Sequence, residues 1–139
     1  MHVRLTKGAY WDGEIKFSQA GGHEGFPVLI NKSLTDLNYL FIASKLLGSD
    51  NLKPKFATHN AHSVASIYFM AEEKEYEFQR LFGMGELLYK SADKVLGGIP
   101  SAGIYAPIGP YKDLLPYLVR RLLENGANSS FVNLSLIHI

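Results

Sequence analysis

Lys55-Phe-Ala-Thr-His-Asn-Ala-His-Ser-Val-Ala-Ser-Ile-Tyr-Phe-Met70, followed by Glu77-Phe-Gln-Arg-Leu81 and Glu86–Leu96, decides the fold class of this 139-residue chain. Strand candidates Lys55–Thr58 and Glu77–Leu81 each lead into a helix candidate, His62–Met70 and Glu86–Leu96. Strands separated in this way pair in parallel, because parallel neighbours need a helical crossover. Toward the C-terminus, Gly103–Ala106 leads into a helix Tyr111–Glu124 closed by Asn125-Gly126. Toward the N-terminus, His2–Lys7 alternates like a strand, and a short helix is expected over Glu14–Gln19. A Gly-rich loop Ala20–Pro27, a short strand Val28–Asn31 and a helix Leu34–Leu47 follow, the last with a polar start at Ser33, Thr35 and Asp36 and Gly48 at its end. The fold class is α/β, built of (β/α) repeats with parallel strands. Four or so such units make about half of an eight-stranded barrel.

Composition narrows the function. With 47% hydrophobic residues and 12% aromatics the chain can bury a real core as one domain. A net charge of +1 supplies no broad basic field, so nucleic acid is not the expected partner and any anion site must be local. The absence of cysteine excludes disulfides, zinc-thiolate sites and thiol nucleophiles. No apolar run is long enough to span a bilayer and no signal-peptide pattern precedes the first strand. The chain reads as soluble and cytoplasmic.

The polar residues suited to chemistry lie at strand ends: Arg4 to Tyr10, Thr58-His59-Asn60, Gln79 to Phe82, and Tyr105. In a (β/α) barrel that end carries the active site. On the helix Tyr111–Glu124, a turn of about 100° per residue puts Tyr117, Arg120, Arg121 and Glu124 on one side and Leu115, Leu118, Val119 and Leu122 on the other. Paired arginine forks match a carboxylate or phosphate, and Glu124 can hold either arginine. A solvated helix face with a weak ion pair has the same pattern. Arg4, within an otherwise apolar strand, must be paired or meet a ligand. Tyr10, Trp11 and Tyr105 offer rings on which a flat ligand could stack, or ordinary packing. Gly21-Gly22 and Gly97-Gly98 match neither the Rossmann fingerprint nor the P-loop and read as turns. His59 and His62 lack an obvious third ligand, so no metal site is expected.

Five blocks in order carry a resemblance: Val3–Asp12, Phe56–His62, Tyr76–Glu86, Ile104-Tyr-Ala-Pro107, and Tyr117-Leu-Val-Arg-Arg-Leu-Leu-Glu-Asn-Gly-Ala-Asn128. Together they resemble the proline dehydrogenase domain of the bacterial bifunctional proline utilisation proteins. The part resembled is strands five to eight of a (β/α)8 TIM-type barrel with its last catalytic helix. The resemblance implies a flavoenzyme that oxidises L-proline to Δ1-pyrroline-5-carboxylate by hydride transfer to N5 of FAD. It implies that Arg120 and Arg121 grip the proline carboxylate, with Glu124 as their ion-pair partner near the flavin, and that Tyr105, Tyr117 and Leu81 enclose the proline ring. Arg4 matches a catalytic arginine near flavin N5. Thr6, Gly8 and Tyr10, with Trp11 adjacent, match the flavin cradle, and Lys32 and Thr35 the phosphate or adenosine side. Thr58, His59, Asn60 and Gln79 match strand-end cofactor contacts, and Phe131 a residue beyond the last helix. The parent protein would pass electrons to membrane quinones, peripherally at the inner membrane.

The match also has departures. Ile30-Asn31-Lys32 stands where the family has Thr-Arg-Lys, removing one hydroxyl and one guanidinium near the expected phosphates, and the stretch between Met70 and Tyr76 is shorter. The family's first four strands, which bring a lysine and an aspartate to the proline site, fall outside the match. Residues 1–133 are therefore expected to be the C-terminal half of the barrel, with oligomerisation through its open edges. Leu134–Ile139 resembles translated sequencing adaptor and is expected to be a non-native tail. Two alternatives stand beside this reading: an inactive half-barrel or interaction module that needs a complementary half, and a phosphate-binding barrel enzyme of another class.

Overall fold

Two phenylalanines on neighbouring strands organise the molecule. In the computed structural model, which describes residues 1–8 and 11–127, the elements run β1 (His2–Thr6), α1 (Trp11–Ala20), α2 (Lys32–Leu47), β2 (Lys53–Ala57), α3 (Ala61–Ala71), β3 (Glu77–Leu81), α4 (Glu86–Leu96), β4 (Ala102–Tyr105) and α5 (Tyr111–Ala127). The strands form one parallel sheet in the order β1-β2-β3-β4. Phe56 of β2 and Phe78 of β3 are register partners and fully buried. Both belong to one core cluster with Tyr39 and Ala43 of α2, Val64 and Ile67 of α3, and Tyr89 of α4. Fully burying a side chain of this size stabilises the fold by about 1.5–3 kcal/mol. Because successive strand residues point to opposite faces, Arg4, Lys55, Glu77 and Gln79 lie on the sheet face turned away from these helices.

The α/β class and the parallel pairing follow the sequence pattern; several boundaries do not. The expected strand Val28–Asn31 does not form. Asn31 is instead the N-cap of α2: one extended residue whose side chain accepts the amides of Ser33 at 2.9 Å and Leu34 at 3.4 Å. Strand β2 starts at Lys53, two residues early, despite Pro54. Lys53 donates its amide to Met1 on the β1 side. The alternate position, where proline lacks a donor, therefore faces β3, whose pairing begins only at Lys55. Helix α1 begins at Trp11 rather than Glu14, and α5 continues through Asn125-Gly126 to Ala127. Leu115, Leu118, Val119 and Leu122 on α5 are exposed. Gly22 and Gly97 do serve turns, both in the left-handed conformation. No described helix is long and apolar enough to cross a membrane. Tyr10, Phe131 and the tail 134–139 lie outside the described residues.

Replacing the α2 cap tests this account. Asn31→Ala should cost about 1 kcal/mol and lower the melting temperature, whereas Asn31→Ser should restore most of the loss, as read by thermal unfolding.

Candidate functional site

The carboxyl ends of the strands are tied side by side. Thr58 donates its amide to the Gln79 carbonyl at 3.3 Å, and Phe82 donates to the Tyr105 carbonyl at 2.8 Å. His59 Nε2 accepts the Leu81 amide at 3.0 Å, which leaves the proton of the neutral ring on Nδ1. Tyr89 donates its hydroxyl to the Thr58 carbonyl at 2.9 Å. The Thr58 hydroxyl accepts the Asn60 amide, and Asn60, extended at the start of α3, caps that helix by accepting the Ser63 amide at 3.0 Å. Gly85, in the left-handed conformation before α4, brings backbone against the imidazole: a Cβ there would lie 2.8 Å from His59 Cδ2. Thr58, His59, Asn60 and Leu81 therefore form one rim.

A second group stands on the sheet face away from the helices. Arg4 donates Nε to Gln79 Oε1 at 2.8 Å, and its guanidinium lies 4.6 Å from the centre of the Tyr105 ring. Among the described residues, none bonds the terminal nitrogens of Arg4. Three expected site residues are thus joined. Sequence reasoning missed the groups behind them: Gln79 donates to Glu77 at 2.9 Å, and Lys55 donates to Glu77 at 2.7 Å. The available signal was the two-residue spacing of Glu77 and Gln79 in a strand, which places both on one face.

Lys7, inside the strand-end stretch Arg4 to Tyr10, has a role that the sequence does not assign. It follows β1 and donates to Asp36 at 2.6 Å and to Ser63 at 3.3 Å, linking the end of β1 to the N-terminal parts of α2 and α3. Burial pushes the Asp36 carboxyl up, but hydrogen bonds and charge from Lys32 and Lys7 outweigh it and hold the group below its ordinary value. Lys32 is therefore engaged with Asp36, and Thr35 donates its hydroxyl to the Asn31 carbonyl at 3.2 Å. Both serve the start of α2 and stand apart from the Arg4 group. A cavity of about 490 Å³ nevertheless joins Thr35 to Gly8, with Pro27, Val28 and Leu29 in its wall. Thr6 donates its hydroxyl to the Lys7 carbonyl at 3.2 Å. A cavity of about 570 Å³ at the far ends of α2 and α3, lined by Leu47 and Ala71 among others, holds none of the expected residues.

On α5, the Arg121 guanidinium lies 5.1 Å from the centre of the Tyr117 ring. Arg121 is half-buried and Arg120 exposed. Burial first, then the positive charges of Arg80 and Arg121, lower the proton affinity of His59. Arg121 is therefore within electrostatic reach of the strand-end rim. The side chains of Trp11 and Glu124, and with them the expected arginine–glutamate pair, lie outside the described residues. Among the described residues no three metal-ligating side chains cluster.

Comparisons with known proteins show the family and the fold. The family model described as proline dehydrogenase matches residues 1–134. The bifunctional protein PutA of Salmonella typhimurium is 55% identical over 139 residues, a match covering 94% of this chain and 10% of that protein. The mitochondrial proline dehydrogenase 1 of Caenorhabditis elegans is 31% identical, covering 90% of this chain and 22% of the relative. A crystal structure of Bradyrhizobium japonicum proline utilization A superposes with a TM-score of 0.82 at 57% identity, over 94% of this chain and 14% of that one. The chain thus spans about a tenth of the length of the curated relatives first matched.

The imidazole yields a pH prediction. Folding lowers the affinity of His59 for a proton, so the unfolded chain protonates first on acidification. Its contribution is present above about pH 6.5 and is lost as pH falls through the lowered folded value. Melting temperature should fall between pH 7.5 and 5, and His59→Gln, which keeps an acceptor for Leu81, should flatten that slope.

Proposed function

The chain belongs to the proline dehydrogenase family, and we propose that it forms the C-terminal half of a (β/α)8 barrel that oxidises L-proline to Δ1-pyrroline-5-carboxylate with FAD. The observation that carries the reading is the group that Arg4, Gln79 and Tyr105 make at the strand ends, with Arg4 donating to Gln79 at 2.8 Å and lying 4.6 Å from the centre of the Tyr105 ring.

The residues present fit the cofactor. A flavin dinucleotide is rich in acceptors and anionic at its phosphates. Arg4 offers terminal donors that no described residue uses, and a cavity already links Gly8 to Thr35. Thr6, Gly8, Gln79 and the Thr58-His59-Asn60 rim would hold the flavin side, with Nδ1–H of His59 left to donate. Lys32 and Thr35 would meet the phosphate or adenosine side; the bond from Lys32 to Asp36 tempers its charge there. FAD, when bound, supplies the two-electron acceptor that takes the hydride from the proline ring at N5.

The protein's own part is binding, orientation and field. Arg120 and Arg121 hold the proline carboxylate by charge-assisted bonds, which sets the ring in one orientation. Leu81, with Tyr105 and Tyr117, forms an apolar wall with polar edges that excludes water. Arg4, fixed by Gln79 and the Tyr105 ring, places positive charge where electron density accumulates. Membrane quinones then serve as the electron sink of the whole protein.

In the full-length protein, proline-dependent dye reduction should require FAD, and Arg120→Met or Arg121→Met should raise the KM for proline about 10- to 100-fold. Unchanged proline binding in both variants would refute the clamp. The chain by itself leaves the outer edges of β1 and β4 unpaired among the described strands and an apolar stripe of α5 exposed. It should elute from size-exclusion chromatography as oligomers; a monomer with a cooperative melt would count against the half-barrel.

A further inference from the structure

Four polar side chains on the site face of the sheet are joined in series, and only the far end is absorbed by the function above. Lys55 donates Nζ to Glu77 Oε2 at 2.7 Å, Gln79 donates Nε2 to Glu77 Oε1 at 2.9 Å, and Arg4 donates Nε to Gln79 Oε1 at 2.8 Å. Arg4, Lys55 and Glu77 share one register layer across β1, β2 and β3. Gly103 of β4 is the register partner of Gln79. A Cβ at 103 would lie 2.6 Å from Glu77 Oε1, so glycine there leaves room for the carboxylate to reach Gln79.

A glutamine amide can present either its oxygen or its NH2 group to a neighbour. Facing the Nε–H of Arg4, only the oxygen makes a bond. A carboxylate accepts and cannot donate, so Glu77 binds the NH2 group of Gln79 and thereby turns the amide oxygen toward Arg4. Lys55 and Gln79 together hold the Glu77 carboxyl below its ordinary range, which keeps it an acceptor throughout neutral pH. We propose that the Lys55–Glu77 pair is a positioning unit that fixes the orientation of the Gln79 amide and, through it, the placement of the Arg4 guanidinium toward the cofactor. The unit touches neither substrate nor cofactor. It rests on the reading of Arg4 as a flavin-side residue.

The decisive variant is Lys55→Met with Glu77→Met in the FAD-loaded full-length enzyme. Removing both members leaves no orphaned charge and no change in net charge, so only the pair's dipole is lost, and the Arg4→Met background separates that field from positioning. Loss of positioning should lower kcat about 10-fold, with the KM for proline within about 2-fold of the parent. The flavin midpoint potential, measured by spectroelectrochemistry, should become more negative as the positive charge loosens. Lys55→Met with Glu77→Gln, whose amide can accept from Gln79 but can equally donate to it, should recover only part of both losses. In an Arg4→Met background the Lys55/Glu77 double substitution should have a much smaller effect on either quantity, the remainder acting through the contact of Gln79 itself.

An unmoved potential, an equal loss in the Arg4→Met background, or full recovery to parent values with Glu77→Gln would overturn the positioning unit. If Arg4→Met lowers kcat and potential while the double substitution does neither, the positioning unit alone is wrong. If Arg4→Met itself leaves both at parent values, the placement of Arg4 toward the flavin is wrong, and the positioning unit falls with it.

Discussion

Two-residue alternation along β2 and β3 is the constraint on which the rest depends. In each strand one set of side chains, led by Phe56 and Phe78, must enter the helix-covered core. The intervening set, Lys55, Glu77 and Gln79, is forced onto the other face. A one-residue slip would bury charges and expose rings, so the register that secures the core also secures the polar series. Structure and chemistry share one geometric decision. The aromatic contacts are close: Tyr76 stands edge-on to Phe78 at 5.1 Å between ring centres, and Phe78 lies 5.5 Å from Tyr89. Burial pushes the Tyr76 hydroxyl up to about 12, so it stays neutral there.

The site is assembled by satisfying backbone groups at strand ends with side chains. Tyr89 serves the carbonyl of Thr58, His59 the amide of Leu81, and Asn60 the first turn of α3. Each bond satisfies a group that the sheet ladder leaves over. The same residues are those expected at the cofactor, where contacts would use the atoms that these structural duties leave free. Lys7 follows this logic at β1, where Asp36 and Ser63 hold its ammonium over the Tyr39 ring.

Much of this was legible in sequence where local chemistry is unambiguous. The extents of β3 and α4 follow directly from pattern, and the parallel order follows from the helical crossovers. Asn31 was misread because a capping residue is extended, and four residues of extended propensity resemble a strand until the side-chain bonds to Ser33 and Leu34 are known. Pro54 hid the true start of β2, since a proline in a strand is acceptable only when the side lacking a donor faces no partner. Arg4 was singled out because a lone charge demands a partner, yet its partner Gln79 lies 75 residues away. The Lys55–Glu77 pair was invisible for the same reason: register, not proximity in sequence, brings it together.

Gly103 carries a further consequence. Because a methyl group at 103 would collide with the Glu77 carboxylate, the two positions are sterically linked across β3 and β4. Alanine at 103 would make the flexible acid swing aside and give up its bond to Gln79, whereas glycine lets the carboxylate stay. The hydrogen at Cα of residue 103 is thus part of what keeps the polar series connected.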